Sequence, residues 1–321
     1  MAKHEMEQRF ETFAMTMPGA ESIDALGLDR APGQRADYLW RDRTVIVEVK
    51  TLRGDPQKKI DEMFDELRQR EDFPLFFRTV PADKLLARLP DGEELLRKLT
   101  NKVRRGLEAA FRDAKYQIDN TKRLLGLDDA LGLLVILNPD IEAYEPNDAG
   151  AYLSYLARYH APPVSIDAIW LLSEAHKVGD ADPCILIETD RLERFTWAKD
   201  WLSEPNERWA QFCGSGLQHS GAKVLEEVLF QRKSEVATGE LTKEQRWEAE
   251  YRANPYLAKH DDNVVAAFGR ELCSRLKRAK EQDDRVSFMQ HWQIWHHFLV
   301  EAQSRALDMR MVMPDEQEPN E

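Results

Sequence analysis

The chain has 321 residues, 42 % of them hydrophobic, and carries 45 Lys and Arg against 58 Asp and Glu, a formal charge of −13. This composition sustains a real core and predicts two domains, or one with a large appendage, and it argues against a protein coated in basic surface. No run approaches the roughly 18 apolar residues of a membrane helix and the charged start lacks an apolar signal segment, so the expectation is a cytoplasmic protein without membrane contact. Cys184, Cys213 and Cys273 are too scattered for a disulfide framework or a zinc site, and are expected as reduced thiols.

Met6, Phe10, Phe13 and Met17 recur at helical spacing and predict a helix over 2–16, closed by Pro18-Gly19. A short strand around Arg35–Trp40 precedes the β-branched run Thr44–Thr51, with Arg41-Asp42-Arg43 as the turn. Ile60, Met63, Phe64 and Leu67 mark an amphipathic helix over about 56–71, followed by extended chain to Val80 and a loop rich in Pro and Asp; residues 56–91 read as an insertion. Gly92–Leu125 is helical in pattern, and Leu131–Leu137 is a short apolar run typical of a strand buried on both faces. A helix over Tyr152–Tyr159 and strands at Ala168–Leu172 and Cys184–Glu188 extend an α/β sheet. From 191 to 308 the chain reads as helical, its tryptophans as core, and the acidic tail 309–321 as disordered.

The hairpin carries the chemistry. A two-residue turn at Arg41-Asp42 would pair Trp40 with Arg43 and Asp37 with Ile46. Ile46, Glu48 and Lys50 then share the face of Asp37, with Asp37 the diagonal neighbour of Glu48 at roughly 7–8 Å; a four-residue loop with Leu39 opposite Thr44 keeps the same parity, whereas a three-residue loop would turn Asp37 away. Two carboxylates so placed suit Mg²⁺, which prefers oxygen ligands and keeps several waters, and the Val49 carbonyl adds a third ligand. Lys50 beside them would hold the attacking water and offset charge on the phosphorus oxygens. The plain alternative is that Glu48 and Lys50 are the solvated face of an edge strand, with Asp37 flanking a turn.

Asp37, ten intervening residues and then VIVEVK with Glu48 and Lys50 resembles the motif of the PD-(D/E)xK nuclease superfamily, over roughly residues 1–140. The resemblance implies a restriction-endonuclease-like α-β-β-β-α-β core with a mixed central sheet within residues 1–190, followed by the mainly helical C-terminal part. It implies a further helix carboxylate approaching the metal, for which Glu7 fits best and Glu11 next, and a Gln or Lys on the helix after the hairpin, for which Gln117 is the candidate. Ala36 departs from the motif's proline, at a position that ligates nothing.

Between Arg97 and Arg123 nine Lys and Arg stand against three Asp and Glu, a local excess suited to phosphates, with Lys102, Arg104, Arg105, Arg112 and Lys115 the candidate nucleic-acid contacts. An ordinary solvated helix face accounts for them equally well. His291, His296 and His297 do not share a helix face as an i, i+4 pair would, and GxSxG, GxGxxG and Walker A sequences are absent. The resulting expectation is a Mg²⁺-dependent nuclease, with Mn²⁺ as substitute, acting on DNA in restriction, phage defence or repair. Asp37, Glu48, Lys50, Glu7 and Gln117 form its site, and the C-terminal part offers a homodimer or partner-protein surface. The rival is a catalytically inactive nuclease-fold module that binds nucleic acid or protein.

Overall fold

The computed structural model of the protein describes residues 3–28, 32–76, 80–159, 165–214, 230–233 and 242–313. The chain falls into two compact units, Met1–Lys58 with Asn101–Val236, and Lys59–Thr100 with Ala237–Glu321. Most of the segment read as an insertion thus belongs with the C-terminal helices, while residues 191–236 stay with the first unit.

Helix α1 (Glu5–Ala14) starts at His4, whose side chain accepts the Met6 N–H, and buries Met6, Phe10 and Phe13 as their spacing requires. Strands β1 (Glu21–Ser22), β2 (Tyr38–Trp40) and β3 (Val45–Thr51) follow. After α2 (Gln57–Leu67) and α3 (Ala82–Leu86) comes the long helix α4 (Gly92–Leu125), which spans the range its apolar stripe predicts. Next are β4 (Leu131–Asn138) and α5, which begins at Pro146 rather than Tyr152 and ends at Tyr159. Strands β5 (Ala168–Ser173), β6 (His176–Lys177) and β7 (Cys184–Glu188) precede α6 (Ala198–Trp201), α7 (Ser203–Phe212) and β8 (Gln231–Arg232). Helices α8 (Lys243–Ala253), α9 (Asp262–Glu281) and α10 (Arg285–Ser304) complete the chain.

Six strands form one mixed sheet in the order β1-β2-β3-β4-β5-β7. β2 runs antiparallel to both β1 and β3, β3, β4 and β5 are parallel, and β7 is antiparallel to β5. The protein is therefore α/β, with a mainly helical C-terminal part. β4 lies in the middle and all eight of its residues are buried, which is why its sequence is apolar without alternation. On one face Ile46, Leu134, Ile136 and Ile169 pack against Leu107, Phe111, Ala114 and Ile118 of α4 and Leu153 of α5. On the other, Val45, Val47, Leu133, Val135 and Trp170 meet Phe10 and Phe13 of α1 and Trp201 and Trp209 of α6 and α7. Period-2 alternation along β3 thus commits its even-numbered residues to the α4 side and its odd-numbered ones to the α1 side.

In the second unit α8, α9 and α10 bury Tyr251, Val265, Leu272, Trp295 and Phe298 in one core, and Met63, Leu67, Leu86 and Leu95 form another. Thr242 with Gln245 makes a capping box on α8, and Asp261 and Asp284 cap α9 and α10. His296 lies buried between Trp247 and Trp292. Met309–Met311 forms a 3₁₀ turn with Met309 and Val312 buried, so folded chain continues past the expected start of the tail; residues 314–321 lie outside the described ones. Among the described residues no helix is long and apolar enough to cross a membrane.

Candidate active site

The β2–β3 hairpin pairs Trp40 with Val45, Leu39 with Ile46 and Tyr38 with Val47. Its loop has four residues, not the expected two: Arg41, Asp42 and Arg43 hold φ of 50°, 50° and 67°, and Thr44 closes the turn by donating its N–H to the Arg41 carbonyl at 3.1 Å. The register is shifted by two positions from the pairing of Trp40 with Arg43. An even shift leaves face assignments unchanged, so Asp37 stays with Glu48 instead of turning away. It also brings Asp37 level with Glu48 rather than diagonal to it. Regular pairing stops there: the Asp37 N–H donates to the Val47 carbonyl at 3.0 Å, and carboxylate oxygen Oδ2 accepts the Val49 N–H at 2.8 Å.

Glu48 is 1 % exposed and sits level with Asp37 on the neighbouring strand, near enough for each carboxyl to feel the other's charge. Burial and then the neighbouring Asp37 charge push the Glu48 carboxyl up to about 8, with Lys50 opposing. Burial likewise raises Asp37, against the Val49 N–H and the Lys50 charge, which favour its ionised form. Lys50 Nζ lies 2.7 Å from Glu48 Oε1 and donates to Gln117 Oε1 on α4. Glu48 Oε2 is buried and receives no donor. Two neighbouring carboxyls, one with a bare buried oxygen, fit a site that binds a cation or retains a proton.

Helix α4 fixes the approach to Asp37. Gln117 Nε2 donates to the Arg35 carbonyl at 2.9 Å, Asn120 Nδ2 to the Gln34 carbonyl at 2.8 Å, and Thr121 Oγ1 accepts the Ala36 N–H at 2.8 Å. These positions are i, i+3 and i+4 on one helix face, and they anchor the segment 34–36 that delivers Asp37. Gly33 immediately precedes this segment at φ +87°, where an added Cβ would lie 2.8 Å from Asn120 Nδ2. Asn120 and Thr121 carried no expectation from sequence. Their signal was available: polar residues at i+3 and i+4 from Gln117, on the side of α4 that otherwise buries Phe111, Ala114 and Ile118.

Glu7 is not brought to the carboxylate pair. It sits on α1, across the sheet from Glu48, and its Oε2 pairs with Arg53 at 2.8 Å. Glu11 pairs with Lys3. Val49 joins the site through its N–H, bound by Asp37, while its side chain packs on the α1 side. Beyond β3 a cavity of about 410 Å³ is lined by Lys3, His4, Arg53, Asp55 and Asp140, among others. Among the described residues no group of three or more His, Cys, Asp or Glu side chains is placed to hold a metal ion, so any cation here would rest on the two carboxyls with backbone and water oxygens.

Of the basic residues on α4, Arg104, Arg105 and Arg112 are exposed and Lys102 and Lys115 half-buried. Lys122 instead turns inward to Asp167, which is fully buried. Asp167 takes the Gly132 N–H at 2.9 Å and Arg194 at 2.8 Å, with Lys122 and Arg191 both at 3.8 Å.

Fold and site together define an α/β protein whose mixed sheet presents a buried Glu48, a half-buried Asp37 and a lysine at the open end of a hairpin. No family model, curated protein or solved structure matches the chain.

Proposed function

We propose that the protein is a metal-dependent nuclease with a restriction-endonuclease-like core, hydrolysing phosphodiester bonds in DNA. The observation that carries this reading is the convergence of Asp37, Glu48, Lys50 and Gln117 on one side of the sheet, with Glu48 Oε2 buried and bare. With α2 and α3 set aside as interposed between β3 and α4, the element order α1, β1–β3, α4, β4 accords with an α-β-β-β-α-β core.

Asp37 and Glu48 would hold Mg²⁺ or Mn²⁺ together with the Val49 carbonyl. When bound, the ion supplies positive charge for the phosphate oxygens and acidifies water. Lys50 has three N–H donors; Glu48 and Gln117 orient the ammonium, leaving a donor for the attacking water or a phosphate oxygen. Gln117 acts by position, tying Lys50 to the backbone at Arg35. Glu7 enters only through Arg53, a cation that lines the cavity beyond β3. The three free cysteines accord with the cytoplasm. Restriction, defence and repair all remain roles such chemistry serves.

A Mg²⁺-dependent cleavage assay on DNA, comparing the protein with Glu48→Ala and Lys50→Ala, tests the reading. Loss of cleavage in both variants is expected; equal activity in all three proteins would sink it. The lack of a third acidic side chain at the pair, among the described residues, favours the rival reading of a silent binding module. That reading expects binding without cleavage from the unaltered protein.

A further inference from the structure

Helices α4 and α5 lie side by side on the same face of the sheet. The outward side of α5 carries Tyr152, Tyr155 and Tyr159, a row at i, i+3 and i+7. Tyr155 and Tyr159 are 55 % and 65 % exposed, in a chain that buries Trp40, Trp170, Trp201, Trp209, Trp247 and Trp295. The rings face one another, with centroids 6.1 Å apart and nearly parallel for Tyr152 and Tyr155, and 5.0 Å apart for Tyr155 and Tyr159. Arg104 of α4 lays its guanidinium 4.6 Å from the Tyr152 ring centroid, joining the aromatic row to the basic side of α4.

That basic side continues through Arg105 and Arg112, both exposed, to Tyr116, which is 52 % exposed and precedes Gln117 of the site. Between Lys102 and Lys115 five cations stand against Glu108 and Asp113, in a protein of net charge −13. Asp113 meets Arg112 only at 3.7 Å with both exposed, a contact that a phosphate could replace. Cations alone would follow a duplex backbone. Cations beside a row of open rings fit unpaired bases, whose faces stack on aromatics while the phosphates meet arginine.

We infer that the α4–α5 surface binds a single-stranded nucleic acid, its bases stacked on the tyrosine row and its phosphates on Arg104, Arg105 and Arg112. This rests on the nuclease reading and narrows its substrate to strands with unpaired bases.

The test is fluorescence anisotropy of labelled oligo(dT), oligo(U) and a duplex of equal length, all in EDTA so that binding is read apart from cleavage. At least tenfold tighter binding of either single strand than of the duplex is expected. Tyr155→Ala/Tyr159→Ala should lower single-strand affinity about tenfold or more and leave duplex affinity unchanged. Tyr155→Phe/Tyr159→Phe, which keeps the rings, should bind like the unaltered protein. Arg104→Ala should reduce the slope of log affinity against log salt by about one. Duplex binding equal to or tighter than single-strand binding, no binding in EDTA, or an unaffected alanine variant would each overturn the inference. The nuclease reading fails separately, when Glu48→Ala cleaves like the unaltered protein.

Discussion

Asp37 Oδ2 accepts the backbone N–H of Val49 at 2.8 Å, so a side chain takes over from the strand ladder where regular pairing ends. The same carboxyl neighbours Glu48, which makes Asp37 both a fastening of β3 and half of the candidate metal site. The two roles separate by substitution. Asp37→Asn keeps an acceptor for Val49 and should fold with little change in urea midpoint while losing most Mn²⁺ affinity by calorimetry. Asp37→Ala leaves the N–H unpartnered and should also cost about 1–3 kcal/mol of stability.

Glu48 gives the metal-free protein a pH dependence of defined sign. Its folded-state pKa, about 8, lies above the ordinary carboxylate value, so the folded state binds the proton more tightly than the unfolded one. Stability should therefore fall as pH rises from roughly 4.5 towards 8, with the titration shared between Glu48 and Asp37. Glu48→Gln should flatten that slope in urea titrations across the window. A metal ion competes with the same proton, so Mn²⁺ affinity should rise over this range with proton release, read by calorimetry in buffers of different ionisation enthalpy.

The α4 clamp predicts a loss of activity without a change in ligating groups. Thr121→Val strips the acceptor from the Ala36 N–H and should cost roughly 1–2 kcal/mol by denaturation, while cleavage falls at saturating metal. Thr121→Ser should restore both. Unchanged cleavage in a well-folded Thr121→Val protein would show that Asp37 is placed without the clamp.

Asp167 predicts a purely structural effect away from the site. Asp167→Ala leaves Lys122 buried beside Arg191 and Arg194 with their shared carboxylate gone. A loss of roughly 2–4 kcal/mol in urea unfolding is expected, below that of a fully buried pair because Arg194 is half exposed.

Gly33→Ala should destabilise the approach to Asp37 by about 1 kcal/mol or more, since both its positive φ and the nearby Asn120 amide disfavour a Cβ. Asn120→Ala relieves the contact but not the φ, so the double variant should recover only part of the loss.

The strands of the parallel centre were legible because their signal is local: VIVEVK is β-branched at four of its six positions and LGLLVIL is apolar throughout. The hairpin turn was not, since three consecutive left-handed residues at Arg41, Asp42 and Arg43 include neither glycine nor asparagine to announce them. The constellation was nonetheless reached because the register error was even. Glu7 was drawn in by resemblance, whereas α1 covers the sheet face opposite Glu48, a fact of tertiary packing that helical spacing cannot express. The union of 59–100 with 237–321, and the hold of Asn120 and Thr121 on an irregular segment, likewise depend on distant partners with no periodicity between them.

The clamp links Gln117 to Arg35 and Thr121 to Ala36 across 82 and 85 positions of chain. During synthesis the hairpin is complete long before α4 leaves the ribosome. Asp37 then has no anchored approach and Lys50 no glutamine beside it. The proposed site is therefore incomplete until the long helix has arrived and docked, so the order of translation itself sets when it is assembled.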